Sequence, residues 1–355
     1  MHKVAYEGHA SVANFGPGFD SIGCAQTNPR GDIVEGTRAH GFKGVRLTEI
    51  VNESGLPSLD LSFGPNNVVQ AVGQKIFDAA NEEGGIQLRL IKRMKIGTGL
   101  GSSASSSVAA ASTTNDLLGR PFNRDSQQML EAIVHGEAVA TKGLGHADNV
   151  LPALLGGFVF IYNQSTYSYM RFKGGNRFYF AIVSPDIVSD TGDMRRALSR
   201  APYDIKALVQ FTAIMLGDYL VYGKFGNLPP DLNKLAKEGG DPNRVTQYLQ
   251  GAQLVMEGIK TNDPRALGLG ATMDRIVTPV RAEFITGFYD VRDAALGADA
   301  YGFTIAGSGP SVIAITDSMS KAHNLGEAMQ MAFERNGVKS VVYVSQINNE
   351  GAKRT

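Results

Sequence analysis

The chain has 355 residues, 43% of them hydrophobic and 19% charged, a composition typical of a globular protein with two domains or one large one. Its 34 Lys and Arg residues balance its 34 Asp and Glu residues, so it lacks the excess positive charge on which binding to nucleic acid or acidic membranes depends. Cys24 is the only cysteine, which excludes an internal disulfide and a thiolate metal cluster. No signal-peptide core and no apolar run near the ~20 residues that span a bilayer occur, so we expect a soluble, cytoplasmic protein without nucleic-acid or membrane partners.

The first 35 residues predict a short strand and then a turn at Gly16, Pro17 and Gly18. Asn14 and Asp20 flank this turn in otherwise small or apolar surroundings. Asn and Asp side chains often cap the backbone of their own turn, and that is one interpretation of the pair. The other interpretation is that both polar groups face a ligand held above the turn.

Residues 64–80 predict a helix, because apolar residues recur at helical spacing from Val68 to Phe77 and Asn66 or Asn67 can serve as the N-cap. The alternation of Ile86, Leu88 and Leu90 then predicts a half-buried strand.

A glycine turn and a helix start follow this strand, at residues 96–113. Gly97, Gly99 and Gly101 permit positive φ and a close approach of a ligand to the backbone. Ser102 then begins a helix, whose unpaired N–H groups and dipole suit a phosphate or another anion. The alternative is an ordinary tight turn capped by serines. A Walker A string is absent, and a GxGxxG fingerprint is incomplete because Ser102 occupies the third glycine position.

A helix is predicted from Ser126 to Ala140, and three polar residues of different type follow between a glycine turn and an apolar helix. These residues are His146, Asp148 and Asn149. An N-cap explains them, and so does a small-molecule site, which typically combines a few varied polar groups with an apolar wall. Metal binding by His146 is disfavoured, because no second His or Cys lies at ligand spacing.

The second half of the chain begins near residue 170, which divides it into predicted domains at residues 1–170 and 171–355. A strand (177–184), a helix with Arg195 and a long helical region (204–298) precede a strand–glycine–strand unit, a helix and a last strand. This order predicts an α+β fold with a split βαβ sandwich. The C-terminal residues 348–355 are polar, and we expect them to be frayed.

Four segments together resemble the GHMP small-molecule kinase superfamily. GTGLGSSAS (97–105) resembles its phosphate loop, and GSGPSVIAI (307–315) resembles its C-terminal glycine motif. SVANFGPGFDSIG (11–23) and HADNVLPALLGG (146–157) are similar to motifs of the homoserine kinases within that superfamily. The four segments occur in the expected order and span most of the chain.

The resemblance implies an enzyme that uses ATP and Mg²⁺ to phosphorylate the side-chain hydroxyl of L-homoserine in threonine biosynthesis. It implies a two-domain fold, with a left-handed βαβ crossover in the N-terminal domain and a ferredoxin-like C-terminal domain. It also implies a homodimer, with ATP between the two domains of each chain.

By position, the resemblance assigns roles to individual residues. It places the substrate amino acid among Asn14, Asp20, His146, Arg195 and Arg281, the last two holding the substrate carboxylate. It places the nucleotide against Asn67, Gly97, Gly99, Leu100, Gly101, Ser102 and Ser103. It assigns Mg²⁺ to Ser103 and Glu137. Our hypothesis is that Asn149 and Arg195 orient the reacting hydroxyl and that Asp148 is an auxiliary base or a helix cap.

Some positions depart from the family pattern. Lys95 replaces the usual proline before the glycine turn and could reach a phosphate, and the spacing from Glu137 to His146 is one residue longer than usual. The segment DTGDMR (190–195) differs from the family's STxEAR, and the segment 204–262 is longer than expected. Phosphorylation of another small alcohol, such as threonine, mevalonate or a sugar-like alcohol, is therefore an alternative. A non-catalytic ligand sensor on the same fold is a second, which the intact Ser103 and Glu137 disfavour.

Overall fold

The computed structural model describes residues 3–56, 61–141, 143, 145–187, 191–224 and 234–355, without the side chains of residues 191–193 and 195. Its strands are β1 (Lys3–Glu7), β2 (Ala10–Ala13), β3 (Ile22–Gln26), β4 (Ile33–Ala39), β5 (Gly44–Asn52), β6 (Gly85–Lys92), β7 (Phe158–Asn163), β8 (Ser168–Phe172), β9 (Tyr179–Pro185), β10 (Gly302–Ile305), β11 (Val312–Thr316), β12 (Ser340–Gln346) and β13 (Lys353–Arg354). Its α-helices are α1 (Val68–Ala79), α2 (Ser102–Leu117), α3 (Gln127–Thr141), α4 (Ala147–Leu155), α5 (Thr191–Ser199), α6 (Ile205–Tyr222), α7 (Pro242–Thr261), α8 (Pro264–Thr272), α9 (Val277–Ala282), α10 (Phe288–Gly297) and α11 (Met319–Arg335).

The N-terminal half is built on a five-stranded sheet with the strand order β13-β1-β4-β6-β5. Strands β5 and β6 are parallel and α1 connects them, which is the crossover unit that the family resemblance implies. In β6, Ile86, Leu88 and Leu90 are buried while Gln87 is exposed, as the alternation of the sequence predicts. Helix α2 is made largely of Ala and Ser, so it can lie buried between this sheet and helices α1, α3 and α4.

A second sheet, in the order β2-β3-β7-β8, carries the turn at residues 14–20. Phe15 lies at the end of this sheet, 5.7 Å from the ring of Phe158 and 6.2 Å from that of Phe180 on β9. The aromatic contacts therefore join the turn to the C-terminal half. Residue 170, where the sequence divides the chain, falls within β8, which pairs with β7.

The C-terminal half contains the predicted ferredoxin-like unit. Its antiparallel sheet has the order β10-β11-β9-β12, and α10 and α11 pack against one face of it. Numbered within the unit, the strands run 2-3-1-4, the arrangement of two interleaved βαβ units. The two-domain α+β fold is thus confirmed.

Helices α6 to α9 lie between β9 and β10 in the chain. Of the helices in the described ranges, α6 alone combines the length and hydropathy of a membrane span. It packs against α7 and β7 through one face, and Ile214, Val221 and Tyr222 are exposed on its other side.

The prediction of a frayed C-terminus is wrong. Strand β13 pairs with β1, with Arg354 opposite Tyr6, and Ala352 is buried and donates its N–H to the Leu154 carbonyl over 3.0 Å. Arg124 donates to the backbone carbonyls of Glu350 and Ala352. The polar tail is ordered because a distant sheet edge supplies its hydrogen bonds.

Candidate active site

The glycine turn connects β6 to α2 and packs against the second glycine motif of the chain. Gly99 and Gly101 have φ values of 78° and 71°. A Cβ on Gly99 would lie 2.3 Å from the Ala306 carbonyl oxygen, and one on Gly101 would lie 2.2 Å from Ser11 Oγ. Both positions therefore require glycine.

The first turn of α2 leaves its donors open toward a cavity. Its N-cap is Gly101, which offers no side-chain acceptor to the N–H groups of the helix. Ser102 Oγ is buried and makes no hydrogen bond to the described residues. Open N–H groups, an orphaned hydroxyl and the positive end of a buried helix are the features of a phosphate site.

The cavity has a volume of about 210 Å³ and gathers most of the predicted site residues. Those on its wall are Asn14, Asp20, Gly97, Gly99, Gly101, Ser102, Ser103, Glu137, His146, Asp148, Asn149 and Arg281. Asp20 and His146 also line a wider groove of about 1240 Å³ between α3 and α6.

Four predicted residues are not described as part of this wall. Leu100 is buried, and its carbonyl accepts a hydrogen bond from the Ser11 N–H. Lys95 is half-buried at the start of the turn. Asn67 is the N-cap of α1, accepting from the Val69 N–H over 2.9 Å. The Arg195 side chain lies outside the described residues.

The Asn14 side chain holds its own turn, which is the capping interpretation that the sequence leaves open. Its Oδ1 accepts from the Asp20 N–H over 3.1 Å, which caps the turn, and its Nδ2 donates to the Gly307 carbonyl over 2.7 Å. Both residues have positive φ, a conformation that Asn and Asp tolerate better than most side chains. The turn is therefore held by Asn14, while the Asp20 carboxylate is left to face the cavity.

Arg281 places a guanidinium in the wall of the cavity. It lies on α9, is only 5% exposed and donates from Nη1 to the Gly307 carbonyl over 2.7 Å. Its Cζ lies 4.8 Å from the centre of the Phe19 ring, within cation–π range. Arginine is usually a solvated surface charge, so a guanidinium buried in the wall of this cavity is a candidate for contact with an anionic ligand group.

The residues at the start of α4 face the same cavity. His146 Nδ1 lies 3.6 Å from Asp20 Oδ2, and His146 is the N-cap of α4 without a capping bond from its side chain. Asp148 is buried in the first turn of this helix. Ser11 Oγ donates to Asn149 Oδ1 over 3.0 Å.

A hydroxyl and a carboxylate meet beside the N-terminal end of α2. Ser103 Oγ donates to Glu137 Oε2 over 2.6 Å. Gly136 allows this approach of α3 to α2, since a Cβ there would lie 2.4 Å from Ser107 Oγ. Among the described residues no group of three His, Cys, Asp or Glu side chains could hold a metal. Two oxygen ligands beside a phosphate site nevertheless fit Mg²⁺, which commonly binds through one or two protein groups and substrate phosphates.

Sequence reasoning did not single out two polar contributors to this site. Ser11 lies in the motif at residues 11–23 and Ser308 in the motif at residues 307–315, but the sequence assigned neither residue a role. Tyr248 on α7 lines neither of the two cavities described above, but its buried phenol feels the charge of Asp20. Burial, followed by the nearby carboxylates of Asp274 and Asp20, raises the pKa of its phenol well above the ordinary value.

Comparison with known proteins identifies the family. The GHMP kinases N terminal domain matches residues 66–157, and the GHMP kinases C terminal domain matches residues 255–335. A homoserine kinase of Chlorobium phaeobacteroides is 32% identical over 99% of both chains, and one of Arabidopsis thaliana is 33% identical over 97% of this chain and 82% of its own. The crystal structure of homoserine kinase from Cytophaga hutchinsonii, at 30% identity, has a TM-score of 0.81 and covers 100% of this chain and 98% of its own. The chain therefore belongs to the GHMP kinase family and, within it, to the homoserine kinases.

Proposed function

We propose that the chain transfers the γ-phosphoryl group of ATP to the side-chain hydroxyl of L-homoserine, a step of threonine biosynthesis. The observation that carries the proposal is the cavity in which the open end of α2 faces Asp20 and Arg281. One side of this cavity suits phosphates, and the other offers an anion and a cation, as an amino acid requires. The full-length similarity to homoserine kinases supports the same assignment.

The nucleotide phosphates are assigned to the glycine turn and the first turn of α2. The backbone N–H groups that follow Gly101 and the hydroxyl of Ser102 supply donors for these phosphates. Phosphoryl transfer depends mainly on positioning and charge stabilisation, and donors fixed in a buried helix supply both.

Mg²⁺ is assigned to Ser103 and Glu137, in addition to phosphate oxygens. The 2.6 Å contact between their oxygens supports this assignment, because the two side chains already converge on one point beside the phosphate site. When bound, the ion neutralises charge on the phosphates during transfer.

The amino acid is assigned to the opposite wall. Asp20 pairs with the substrate ammonium, and Arg281 binds the carboxylate through its planar guanidinium. The bond from Arg281 Nη1 to the Gly307 carbonyl fixes the plane of this group before substrate arrives. The assignment of Arg195 to the same carboxylate rests on the family motif alone. Mevalonate lacks an ammonium group, so Asp20 favours an amino-acid substrate over it.

Asn149 is assigned the orientation of the reacting hydroxyl. Because Ser11 donates to Oδ1 of this residue, the amide NH₂ is left to donate to the oxygen of the substrate hydroxyl. That bond leaves a lone pair of the hydroxyl oxygen directed at the phosphorus. Asp148 is assigned an auxiliary role, as a helix cap or a weak base near the same hydroxyl.

A coupled assay of ADP release tests the proposal. The purified chain is incubated with ATP, Mg²⁺ and, separately, L-homoserine, L-threonine, mevalonate and galactose. We expect the highest kcat/KM with L-homoserine and a phosphorylated amino acid as the product by mass spectrometry. Turnover of only a non-amino-acid alcohol would contradict the substrate assignment, and release of ADP with none of them would contradict the kinase assignment.

The assembly is proposed to be a soluble, cytoplasmic homodimer. The exposed apolar side chains on α6, namely Ile214, Val221 and Tyr222, support contact with a second chain. Light scattering during size-exclusion chromatography measures the mass directly. A mass of one chain at micromolar concentration would exclude the dimer.

A further inference from the structure

We propose that the buried ion pair of Lys92 and Asp32 is a positioning device that fastens both ends of the glycine turn. Neither side chain lines the cavity, and no step assigned above uses them. Asp32 is 0% exposed and Lys92 is 3% exposed, so the pair contributes nothing to the surface charge. The inference rests on the proposed binding of nucleotide by the turn.

Asp32 holds the chain where it leaves β6 and enters the turn. Its Oδ1 accepts from the backbone N–H groups of Arg93 over 2.8 Å and Met94 over 3.0 Å. Its Oδ2 accepts from Lys92 Nζ and from Ser106 Oγ, the latter over 2.6 Å. All four favourable positions around the carboxylate are thereby occupied.

Lys92 holds the chain where it leaves the turn and enters α2. Besides Asp32, its ammonium group donates to the Ser102 carbonyl over 3.1 Å and to Ser106 Oγ over 3.0 Å. The three N–H groups of the lysine are thus all used. Ser102 is the first residue of α2 and also carries the orphaned hydroxyl of the phosphate site.

The start of α2 is held by a third set of contacts, which involves the backbone of Asp32. The Asp32 N–H donates to Ser105 Oγ over 2.8 Å, and that hydroxyl donates to the Gly8 carbonyl over 2.7 Å. The first two turns of α2 are therefore fixed to the segment before β4. Side chains fixed in this way keep the helix donors aligned with the phosphates before the nucleotide binds.

A purely stabilising role is the competing explanation, and general energetics weigh against it. Burying two charges carries a large desolvation cost, and replacing a buried ion pair by well-packed neutral residues is often neutral for stability. What the pair supplies is geometry: one ion pair sets the distance between the two ends of a turn that contains three residues of positive φ. A displacement of about 1 Å at a phosphate-binding site can cost roughly 100-fold in rate.

The test compares two double variants, each of which changes one residue of β6 and one residue in or next to β4. Lys92→Met/Asp32→Asn removes both buried charges and keeps an oxygen near the Arg93 N–H, so the variant should fold. The control, Arg89→Met/Glu35→Gln, removes a partly buried ion pair between β4 and β6 away from the turn, together with the contacts of Glu35 to Lys3 and of Arg89 to Glu49. For each protein we measure ADP–Mg²⁺ affinity by calorimetry, KM and kcat for both substrates, and thermal stability.

We expect the Lys92→Met/Asp32→Asn variant to bind ADP roughly tenfold or more weakly and to lose kcat/KM for ATP in proportion. Its KM for L-homoserine should stay within about twofold of the wild-type value, and the control should match the wild type in ADP affinity, KM and kcat. A variant with wild-type ADP affinity and kcat would overturn the proposal.

If the double variant does not fold, Ser106→Ala tests the positioning role instead, because it removes a hydroxyl that contacts both Lys92 and Asp32. Weakened ADP binding of this folded variant supports the positioning role, and unchanged binding overturns it. ADP binding is measured without turnover, so this test does not depend on the identity of the second substrate. A wild-type chain that binds ADP but does not phosphorylate L-homoserine would refute the proposed substrate, and the positioning role could still be tested.

Discussion

Replacing Gly99 by alanine is expected to displace the glycine turn from the second glycine motif. The residue has a φ of 78°, and a Cβ there would lie 2.3 Å from the Ala306 carbonyl oxygen and 2.8 Å from that of Gly309. Both neighbours are backbone atoms and cannot rotate away. An ordinary contact begins near 3.4 Å, so the two segments must separate by about 1 Å.

The size of the effect follows from two costs. A left-handed conformation costs alanine about 1–2 kcal/mol relative to glycine, and overpacking a close contact costs about 1–3 kcal/mol more. We therefore expect the free energy of unfolding to fall by about 2–5 kcal/mol. Since the displaced turn carries the donors that we assign to the nucleotide phosphates, we expect kcat/KM for ATP to fall by about 100-fold in the molecules that stay folded.

Gly119→Ala is the matched control. Gly119 has a φ of 81° after the end of α2, but nothing lies within 4 Å of the position that a Cβ would take. The free energy of unfolding of Gly119→Ala should therefore fall only by the conformational cost, about 1–2 kcal/mol, and this variant should keep its activity. Urea denaturation and steady-state kinetics measure both variants. Equal losses of stability and activity in Gly99→Ala and Gly119→Ala would refute the close-approach argument.

Four further outcomes are expected. Asp20→Asn should raise KM for L-homoserine at least about 100-fold with little change in KM for ATP, since it removes the partner of a buried ammonium; an equal change in both constants would argue for a structural role. Ser103→Ala should lower kcat roughly 100-fold and raise the Mg²⁺ concentration for half-maximal rate, and a wild-type Mg²⁺ titration would exclude the assigned ligand. Asp148→Asn should keep turnover within about tenfold, whereas a loss of about 10³-fold or more would make Asp148 the general base. Burial lowers the pKa of His9 from its ordinary value of 6.5, so below that pH the unfolded chain binds a proton that the folded chain excludes. The free energy of unfolding should therefore fall as the pH drops below 6.5. Urea denaturation at several pH values should show that His9→Gln removes this part of the pH dependence.

The parts of the fold that sequence predicted are those with local signals. The alternation of β6, the glycine turn and the start of α2 at Ser102 follow from neighbouring residues, and all three are confirmed. Asn67, one of two candidate N-caps, does cap α1, because an Asn side chain before an apolar helix has a donor within reach. The order of strands and helices in the second half likewise predicted the ferredoxin-like sheet.

The parts that sequence could not predict depend on contacts between distant segments. The tail pairs with β1 across nearly the whole chain, and its own polar composition carries no sign of that partner. The burial of Arg281 depends on Gly307 and Phe19, which arrive from two other elements. The bond between Ser11 and Asn149 joins residues 138 positions apart. In each case the local sequence is compatible with an exposed residue, and only the packing of distant segments determines that the residue is buried or hydrogen-bonded.

The carbonyl of Gly307 has a consequence for how the two substrates influence each other. It accepts from Asn14 Nδ2 and from Arg281 Nη1, while the Gly307 N–H donates to the Ala13 carbonyl over 3.1 Å. The adjoining Ala306 carbonyl in turn packs against Gly99 of the glycine turn. The short piece of backbone at Ala306 and Gly307 thus supports both the wall that we propose for the amino acid and the turn that we propose for the nucleotide. A ligand that orders this piece from one side prepares it for the other, and by thermodynamic linkage the gain in affinity must be the same whichever substrate binds first.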